Sequence, residues 1–146
     1  DYGCQNNSCL GPAVQSNQNQ NKTEPQDTCT AGCFSVTNFN YDPPGNECKI
    51  AYLNGEYVTI KNKCSYSCDL TGWSISDEKD HTYLFLSFKL NADAEFTLYS
   101  CAGMDSASQL YWNSPFYPCK AIWNNNKYTL YLKNQNGEVI FSQSYY

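Results

Sequence analysis

Nine cysteines in a chain of 146 residues are the feature that most limits what this sequence can fold into. They are Cys4, Cys9, Cys29, Cys33, Cys48, Cys64, Cys68, Cys101 and Cys119. So many thiols in a small chain serve either as metal ligands or as disulfides. Structural zinc sites use Cys-x-x-Cys knuckles and nearby histidines, whereas the close pairs here enclose three or four residues and the single histidine is His81. The pattern therefore favours disulfides over a metal centre.

Disulfides persist in oxidising compartments, or inside hyperthermophiles. We therefore expect a secreted protein, extracellular or at the cell surface. The sequence starts at Asp1 without a charged-then-apolar leader, which we interpret as a mature chain after removal of a signal peptide. It has no apolar run of about 18 residues, so no transmembrane segment is predicted. Its net charge of −5 and its nine basic residues argue against a nucleic-acid partner, which would require a basic surface.

Residues 1–33 differ in composition from the rest of the chain. Between Gln15 and Thr30 there is no large apolar residue, and Asn and Gln are abundant. Such a segment cannot bury enough apolar surface to offset the entropy of ordering it. It also carries two acceptor triplets for N-glycosylation, at Asn6 and Asn21. We therefore divide the chain into a cysteine-containing, Asn/Gln-rich N-terminal arm, residues 1–33, and a domain over residues 34–146.

The domain shows the two-residue periodicity of β-strands. Tyr128, Leu130 and Leu132 give the clearest alternation, and similar short runs recur from Phe34 onward. Turn signals separate them, with the strongest at 54–55 and 136–137, both Asn-Gly. The pattern predicts seven to nine short strands in a sandwich or barrel, with minimal helix.

Several motifs along these strands occur in a fixed order. They are FNYDPPGN at 39–46, EYVTIKN at 56–62, DLTGWSISD at 69–77, LYW at 110–112, IWNN at 122–125 and NQNG at 134–137 followed by Val139 and Ile140. In this order they resemble the lamin tail domain (LTD) family in its prokaryotic secreted form, over about residues 36–146. The third motif is similar to the family's Leu-x-Gly-Trp-x-Leu-x-Asp box, with Ile75 for the second Leu. The resemblance implies an immunoglobulin-like β-sandwich, with Trp73 in its core.

The chain departs from the family pattern in its cysteines and in a longer segment at 113–121. Cys101 and Cys119 bracket the 102–118 loop, and we expect them to form one of at least three intrachain bridges. Closing such a loop stabilises by roughly 3 kcal/mol. Cys64 and Cys68 bracket a short loop, and a local bridge between them is one candidate pairing. The full connectivity stays open, and because the number of cysteines is odd, one is free or bonded to another chain.

No constellation of residues indicates catalysis. A nucleophile would need a base, and His81 lies in an acidic turn where a surface histidine is the default interpretation. The acids of that turn, Asp77, Glu78 and Asp80, are weak candidates for calcium, because they lack the spacing of a calcium-binding loop. We therefore expect no enzyme activity, no catalytic residue and no resident cofactor.

Three functional hypotheses follow. The first is an extracellular structural or adhesive subunit that self-assembles, for example into a filament, when its N-terminal arm joins the sheet edge of another copy. The second is a secreted recognition module that binds carbohydrate or protein through aromatic residues of the 102–120 loop. The third is an accessory domain of a secreted enzyme. The expected partners are therefore another copy of the chain or another extracellular protein.

Overall fold

The structure, a computed structural model, describes residues 28–44, 54–112, 121–123 and 126–145. Within these ranges the chain forms one 3₁₀ turn, Ala31–Cys33, and ten strands. The strands are β1 (Phe34–Asn40), β2 (Tyr57–Asn62), β3 (Cys68–Asp69), β4 (Ser74–Ser76), β5 (Thr82–Leu84), β6 (Lys89–Leu90), β7 (Glu95–Tyr99), β8 (Gln109–Tyr111), β9 (Tyr128–Lys133) and β10 (Val139–Tyr145). The strand-rich, helix-poor architecture is as predicted, and two of the ten strands are only two residues long.

The strands form two four-stranded sheets and a small ribbon. The first sheet has the order β1-β2-β7-β8, and the second has the order β10-β9-β4-β5. Neighbouring strands are antiparallel except β7 and β8, which are parallel. β3 and β6 form the ribbon. The two sheets form an immunoglobulin-like β-sandwich, as the resemblance implied.

Alternating side chains from both sheets form the core. Val58, Ile60, Phe96 and Leu98 come from the first sheet, and each is at most 1 % exposed. Ile75, Leu130 and Leu132 of the second sheet are fully buried in the same apolar cluster. Complete burial of side chains of this size stabilises a fold by roughly 2 kcal/mol each. The core therefore accounts for the alternation in the sequence.

A β-bulge explains why the alternation slips along β1. Phe34 and Val36 occupy one face, but the next apolar residue is Phe39 instead of residue 38. The register with β2 shifts between Val36 and Asn38, so Thr37 is the extra residue. The bulge lets Phe39 pack against Trp123, with ring centroids 5.1 Å apart.

Trp73 lies in the core, as expected from its motif. It is 8 % exposed, and its ring centroid lies 5.9 Å from that of Phe34. The preceding residue, Gly72, has a φ of +80°, a conformation that favours glycine. Its N–H donates to the carbonyl of Phe85, 2.8 Å away. The Gly-Trp pair is therefore a structural turn that leads into β4.

The candidate local bridge between Cys64 and Cys68 does not form, since both residues pair with cysteines of the arm. The disulfides are Cys29–Cys68 and Cys33–Cys64, with Cα atoms 5.8 and 4.9 Å apart. The register of β1 and β2 explains the pairing, because it places Phe34 opposite Asn62 and so brings Cys33 beside the residues after β2. Two bridges thus fasten the end of the arm, residues 28–33, to the sandwich.

In the described part of the chain, no helix is long and apolar enough to cross a membrane.

Candidate functional site

A cleft of about 600 Å³ opens on one side of the sandwich. β5 ends the second sheet and β8 ends the first, and the cleft lies between these two edge strands. We call it the β5/β8 cleft. Its walls are formed by residues 82–89 and by residues 105–107 and 110–112. It lies where both sheets end.

Aromatic rings form the floor of the β5/β8 cleft. Tyr83 contacts Phe85 edge to face, with ring centroids 5.1 Å apart, and Trp112 from across the cleft at 5.8 Å. Phe85 stacks on Phe88 at 5.5 Å. Trp112 in turn packs edge to face against Trp123 at 5.9 Å. The floor is therefore fixed by rings that continue into the core.

The rim of the cleft exposes apolar side chains. Leu84 is 53 % exposed and Leu86 is 80 % exposed. Met104, in the chain segment just before the second wall, is 88 % exposed. Clustered exposed apolar side chains beside a concave surface are typical of binding sites. One signal in the sequence points to this rim: residues 83–86, Tyr-Leu-Phe-Leu, are apolar on both faces of a strand, whereas neighbouring strands alternate.

The backbone edge of β8 is closed by its own loop. The N–H of Tyr111 donates to Asp105 Oδ1 at 3.0 Å, and the N–H of Gln109 donates to Ser106 Oγ at 3.1 Å. In return, the N–H of Ser106 donates to the carbonyl of Gln109 at 2.7 Å. These contacts occupy the groups with which β8 would pair another strand. An incoming strand therefore has no free edge on this wall.

No strand of the described ranges pairs with the outer backbone edge of β5. Phe85 N–H donates to the carbonyl of Trp73, 2.9 Å away, so residue 85 faces the neighbouring strand β4. Since hydrogen-bonding direction alternates along a strand, the N–H and C=O groups of Thr82 and Leu84 are directed away from β4. The wall formed by β8 is thus closed by its own loop, whereas on the β5 wall the backbone groups of Thr82 and Leu84 are directed outward.

Tyr83 gives the floor a protonated hydroxyl. Burial, and secondarily the negative charge of Asp105, raise the pKa of Tyr83 to about 12. Both effects disfavour the phenolate. The floor therefore stays neutral over the physiological pH range and provides an O–H donor.

Glu56 supports the cleft from behind, and sequence reasoning assigned it no role beyond its motif. Its Oε1 accepts hydrogen bonds from Ser100 Oγ at 2.6 Å and from the N–H groups of Ile122 and Trp123 at 2.8 and 2.9 Å. The residue is 1 % exposed. Because Trp123 packs against Trp112, this carboxylate positions one side of the aromatic floor. The sequence signal for a buried structural carboxylate was the position of Glu56 directly before the apolar strand β2.

Asp77 holds the acidic turn together through hydrogen bonds to its carboxylate. Asp77 Oδ1 accepts from the N–H groups of Lys79 and His81, both at 2.9 Å, and Oδ2 lies 2.7 Å from His81 Nδ1. Asp77, Glu78 and Asp80 do not converge as a calcium site would require. In the described ranges, the one group of three metal-ligating side chains with atoms within 4.8 Å of one another is Cys29, Cys33 and Cys68.

Six of the predicted site residues lie outside the described ranges. They are Asn6, Asn21, Cys4, Cys9, Cys48 and Cys119. Cys101 is disulfide-bonded and buried. Its partner is outside the described ranges, because the other four described cysteines pair with one another. The bridge between Cys101 and Cys119 therefore stays a prediction, as do the glycans at Asn6 and Asn21.

Fold and site together define the class: an immunoglobulin-like β-sandwich with an aromatic cleft between the edge strands of its two sheets. The family model of the Lamin Tail Domain (LTD) matches residues 30–146. The chain belongs to the lamin tail domain family, as its motifs predicted. This is a non-enzymatic immunoglobulin-like fold, which suggests a protein-interaction or structural role. A search among curated proteins found no match.

Proposed function

We propose that the protein is an extracellular structural subunit whose sandwich accepts an extended segment of a neighbouring copy at the outer edge of β5. The observation that carries this proposal is the outward direction of the Thr82 and Leu84 backbone beside an apolar rim. An edge strand with open backbone groups binds another strand through main-chain hydrogen bonds, and adjacent pockets select its side chains. Self-assembly through such a contact is structural work and involves no catalytic residue.

The proposed donor is the part of the N-terminal arm over residues 1–28 of the second copy. It carries Tyr2 and the short apolar stretch 10–14, which suit the rim and floor of the cleft. Twenty-eight extended residues span up to about 90 Å, which exceeds the size of a domain whose expected radius of gyration is about 14 Å. The arm starts from a point fixed by two disulfides. A donor and an acceptor at different places on one chain repeat head to tail into a filament.

The disulfides support the extracellular part of the proposal. Cys29–Cys68, Cys33–Cys64 and the bonded Cys101 suit an oxidising compartment. Glycans at Asn6 and Asn21, if attached, would lie on the donor arm and would be expected to modulate assembly.

Charge substitutions at the rim test the proposal. Leu84→Lys and Leu86→Lys place a cation at the edge, where it opposes strand pairing. Val139→Lys is the matched control, because Val139 lies in β10 at the opposite edge of the second sheet and is 51 % exposed, against 53 % and 80 % for the rim leucines. Multi-angle light scattering should show that the wild type and the Val139→Lys control assemble, while the rim variants lose at least tenfold in association affinity. Equal assembly of the rim variants and the control would sink the proposal.

Deletion of residues 1–28 tests the donor. The truncated chain should remain folded and monomeric at concentrations at which the full chain assembles. If the truncated chain assembles like the full one, the arm is not the donor. If the full chain is monomeric and its β5 edge is protected only when the arm is present, the arm folds back on its own cleft and the neighbour is excluded.

The aromatic floor favours a second candidate function, the recognition of a soluble carbohydrate. Tyr83 and Trp112 are both half-buried and present rings to the cleft, and sugar rings stack on such faces. Titration of the full chain with oligosaccharides, followed by tryptophan fluorescence, tests it. Saturable quenching that Tyr83→Ala removes would support recognition, and no change across neutral and acidic oligosaccharides would exclude it.

A further inference from the structure

Four cysteine sulfurs meet at the place where the arm joins the sandwich. Cys29 and Cys33 come from the arm and the 3₁₀ turn, and Cys64 and Cys68 from the segment after β2. The Sγ atoms of Cys29, Cys33 and Cys68 all lie within 4.8 Å of one another, and Cys64 is bonded to Cys33. The two disulfides are therefore one cluster of four sulfurs. We call it the four-sulfur cluster.

The sequence spacing produces this convergence. Each segment carries two cysteines separated by three residues, so each presents a pair of sulfurs on one side of a turn. Pairing of β1 with β2 then places the two segments side by side, with the N–H of Lys63 donating to the carbonyl of Cys33 at 2.7 Å. The backbone holds the segments together by contacts other than the disulfides. The positions of the sulfurs are thus partly fixed before any sulfur–sulfur bond forms.

We propose that the four-sulfur cluster is a zinc-binding site when its disulfides are reduced. Each disulfide takes two electrons and two protons from one molecule of a dithiol reductant, which itself becomes a disulfide. The four resulting thiols then bind one Zn²⁺ as thiolates and release their four protons to solvent. The oxidised chain keeps two disulfides, and the reduced chain keeps one metal at the same place.

The geometry of the cluster suits a tetrathiolate. Zinc–sulfur bonds of about 2.3 Å in a tetrahedron put neighbouring sulfurs about 3.8 Å apart, which lies inside the 4.8 Å spread of three of these sulfurs. Reduction requires bonded sulfurs to move apart by less than about 2 Å, which side-chain rotation supplies. Cys33 and Cys68 are each 1 % exposed, so these two ligands are shielded from water.

A neighbouring hydroxyl supports the thiolate form. The Tyr66 hydroxyl lies 3.4 Å from Cys33 Sγ, and it donates a hydrogen bond when that sulfur is a thiolate. Hydrogen bonds of this kind orient metal ligands and stabilise their charge. The cluster would therefore fasten the arm to the sandwich both before and after oxidation, a property that does not depend on how copies assemble.

Cobalt titration of the full chain tests the zinc proposal. The protein is reduced with a dithiol, which is removed by anaerobic gel filtration, and Co²⁺ is added. One Co²⁺ per chain should produce the intense visible absorption of tetrahedral cobalt thiolate, and Zn²⁺ should displace it. Cys68→Ser should weaken cobalt binding at least tenfold, whereas Cys101→Ser, which removes a cysteine outside the cluster, should leave it unchanged.

A variant in which one cysteine ligand is replaced by histidine distinguishes the loss of a metal ligand from misfolding. Cys64 is half-buried, so Cys64→His keeps four ligands and should bind one Co²⁺ with its absorption shifted to shorter wavelength. Weak absorption typical of octahedral cobalt in the wild type would overturn the proposal. So would a cobalt spectrum that neither Cys68→Ser nor Cys64→His alters.

Discussion

Tyr83 links the pH dependence of stability to the floor of the β5/β8 cleft. Its pKa is raised to about 12 from 10.0 by burial and by Asp105. As the pH rises, the unfolded chain loses this proton first, so the free energy of unfolding falls between about pH 10 and about pH 12. Tyr83→Phe should flatten this fall, as measured by denaturant titration at about pH 9 and about pH 11. Tyr131→Phe is the control on the other side of the sheet, and an equal effect of both variants would contradict the account.

Glu56 is expected to be the most sensitive charged residue. Glu56→Ala leaves the buried N–H groups of Ile122 and Trp123 without their acceptor, at about 1–3 kcal/mol each. Urea unfolding should therefore show a loss of about 3 kcal/mol or more. Glu138→Ala removes an exposed carboxylate that bonds Asn134 and should cost less than about 1 kcal/mol. Similar losses in the two variants would show that the buried carboxylate is not a structural anchor.

At the scale of strands, local periodicity was enough to locate a strand where one of its faces is buried. β2 and β9 lie where the alternation of apolar residues predicted them, because Val58 and Ile60 of β2 and Leu130 and Leu132 of β9 are the residues that enter the apolar core. The turn at Asn136-Gly137 is also as predicted, with Gly137 at a φ of +78°. Such strands are specified within a few residues of sequence.

Features that depend on distant pairing were not accessible from the sequence. β8 pairs in parallel with β7 across a nine-residue crossing segment, residues 100–108, and its apolar content alone did not mark it as a sheet edge. The disulfides join residues 39 and 31 positions apart, so local spacing suggested the wrong partners. The β5/β8 cleft likewise exists only because the ends of two sheets come together. These features follow from topology, which no local pattern encodes.

The connectivity of the two disulfides that fasten the arm can be tested by peptide mapping and by stability measurements. Peptide mapping of the non-reduced protein should recover Cys29–Cys68 and Cys33–Cys64, and we expect Cys101–Cys119 as a third bridge. The double variant Cys33→Ser/Cys64→Ser should lose about 3–4 kcal/mol of unfolding free energy, because its loop spans 31 positions. A local Cys64–Cys68 peptide, or a stability loss below about 1 kcal/mol, would contradict the observed connectivity.

At the scale of the whole molecule, the two sheet edges that meet at the β5/β8 cleft differ in whether their backbone groups are already hydrogen-bonded. β8 is sealed by residues 105–106 through hydrogen bonds, whereas β5 offers the backbone of Thr82 and Leu84. An asymmetric cleft of this kind leaves one edge for an incoming strand, which suits the proposed ordered assembly better than sheet-to-sheet aggregation. The arm, attached on the sandwich by two bridges, supplies the proposed strand.

Hydrogen–deuterium exchange of the full chain, compared between dilute and concentrated solution, tests strand acceptance at β5 most directly. In dilute, monomeric solution the amides of Thr82 and Leu84 should exchange rapidly, and on assembly they should be protected at least tenfold. The amides of Gln109 and Tyr111, already bonded to residues 105–106, should change little. Assembly that leaves Thr82 and Leu84 unprotected would contradict the account, because the copies would then be joined somewhere else.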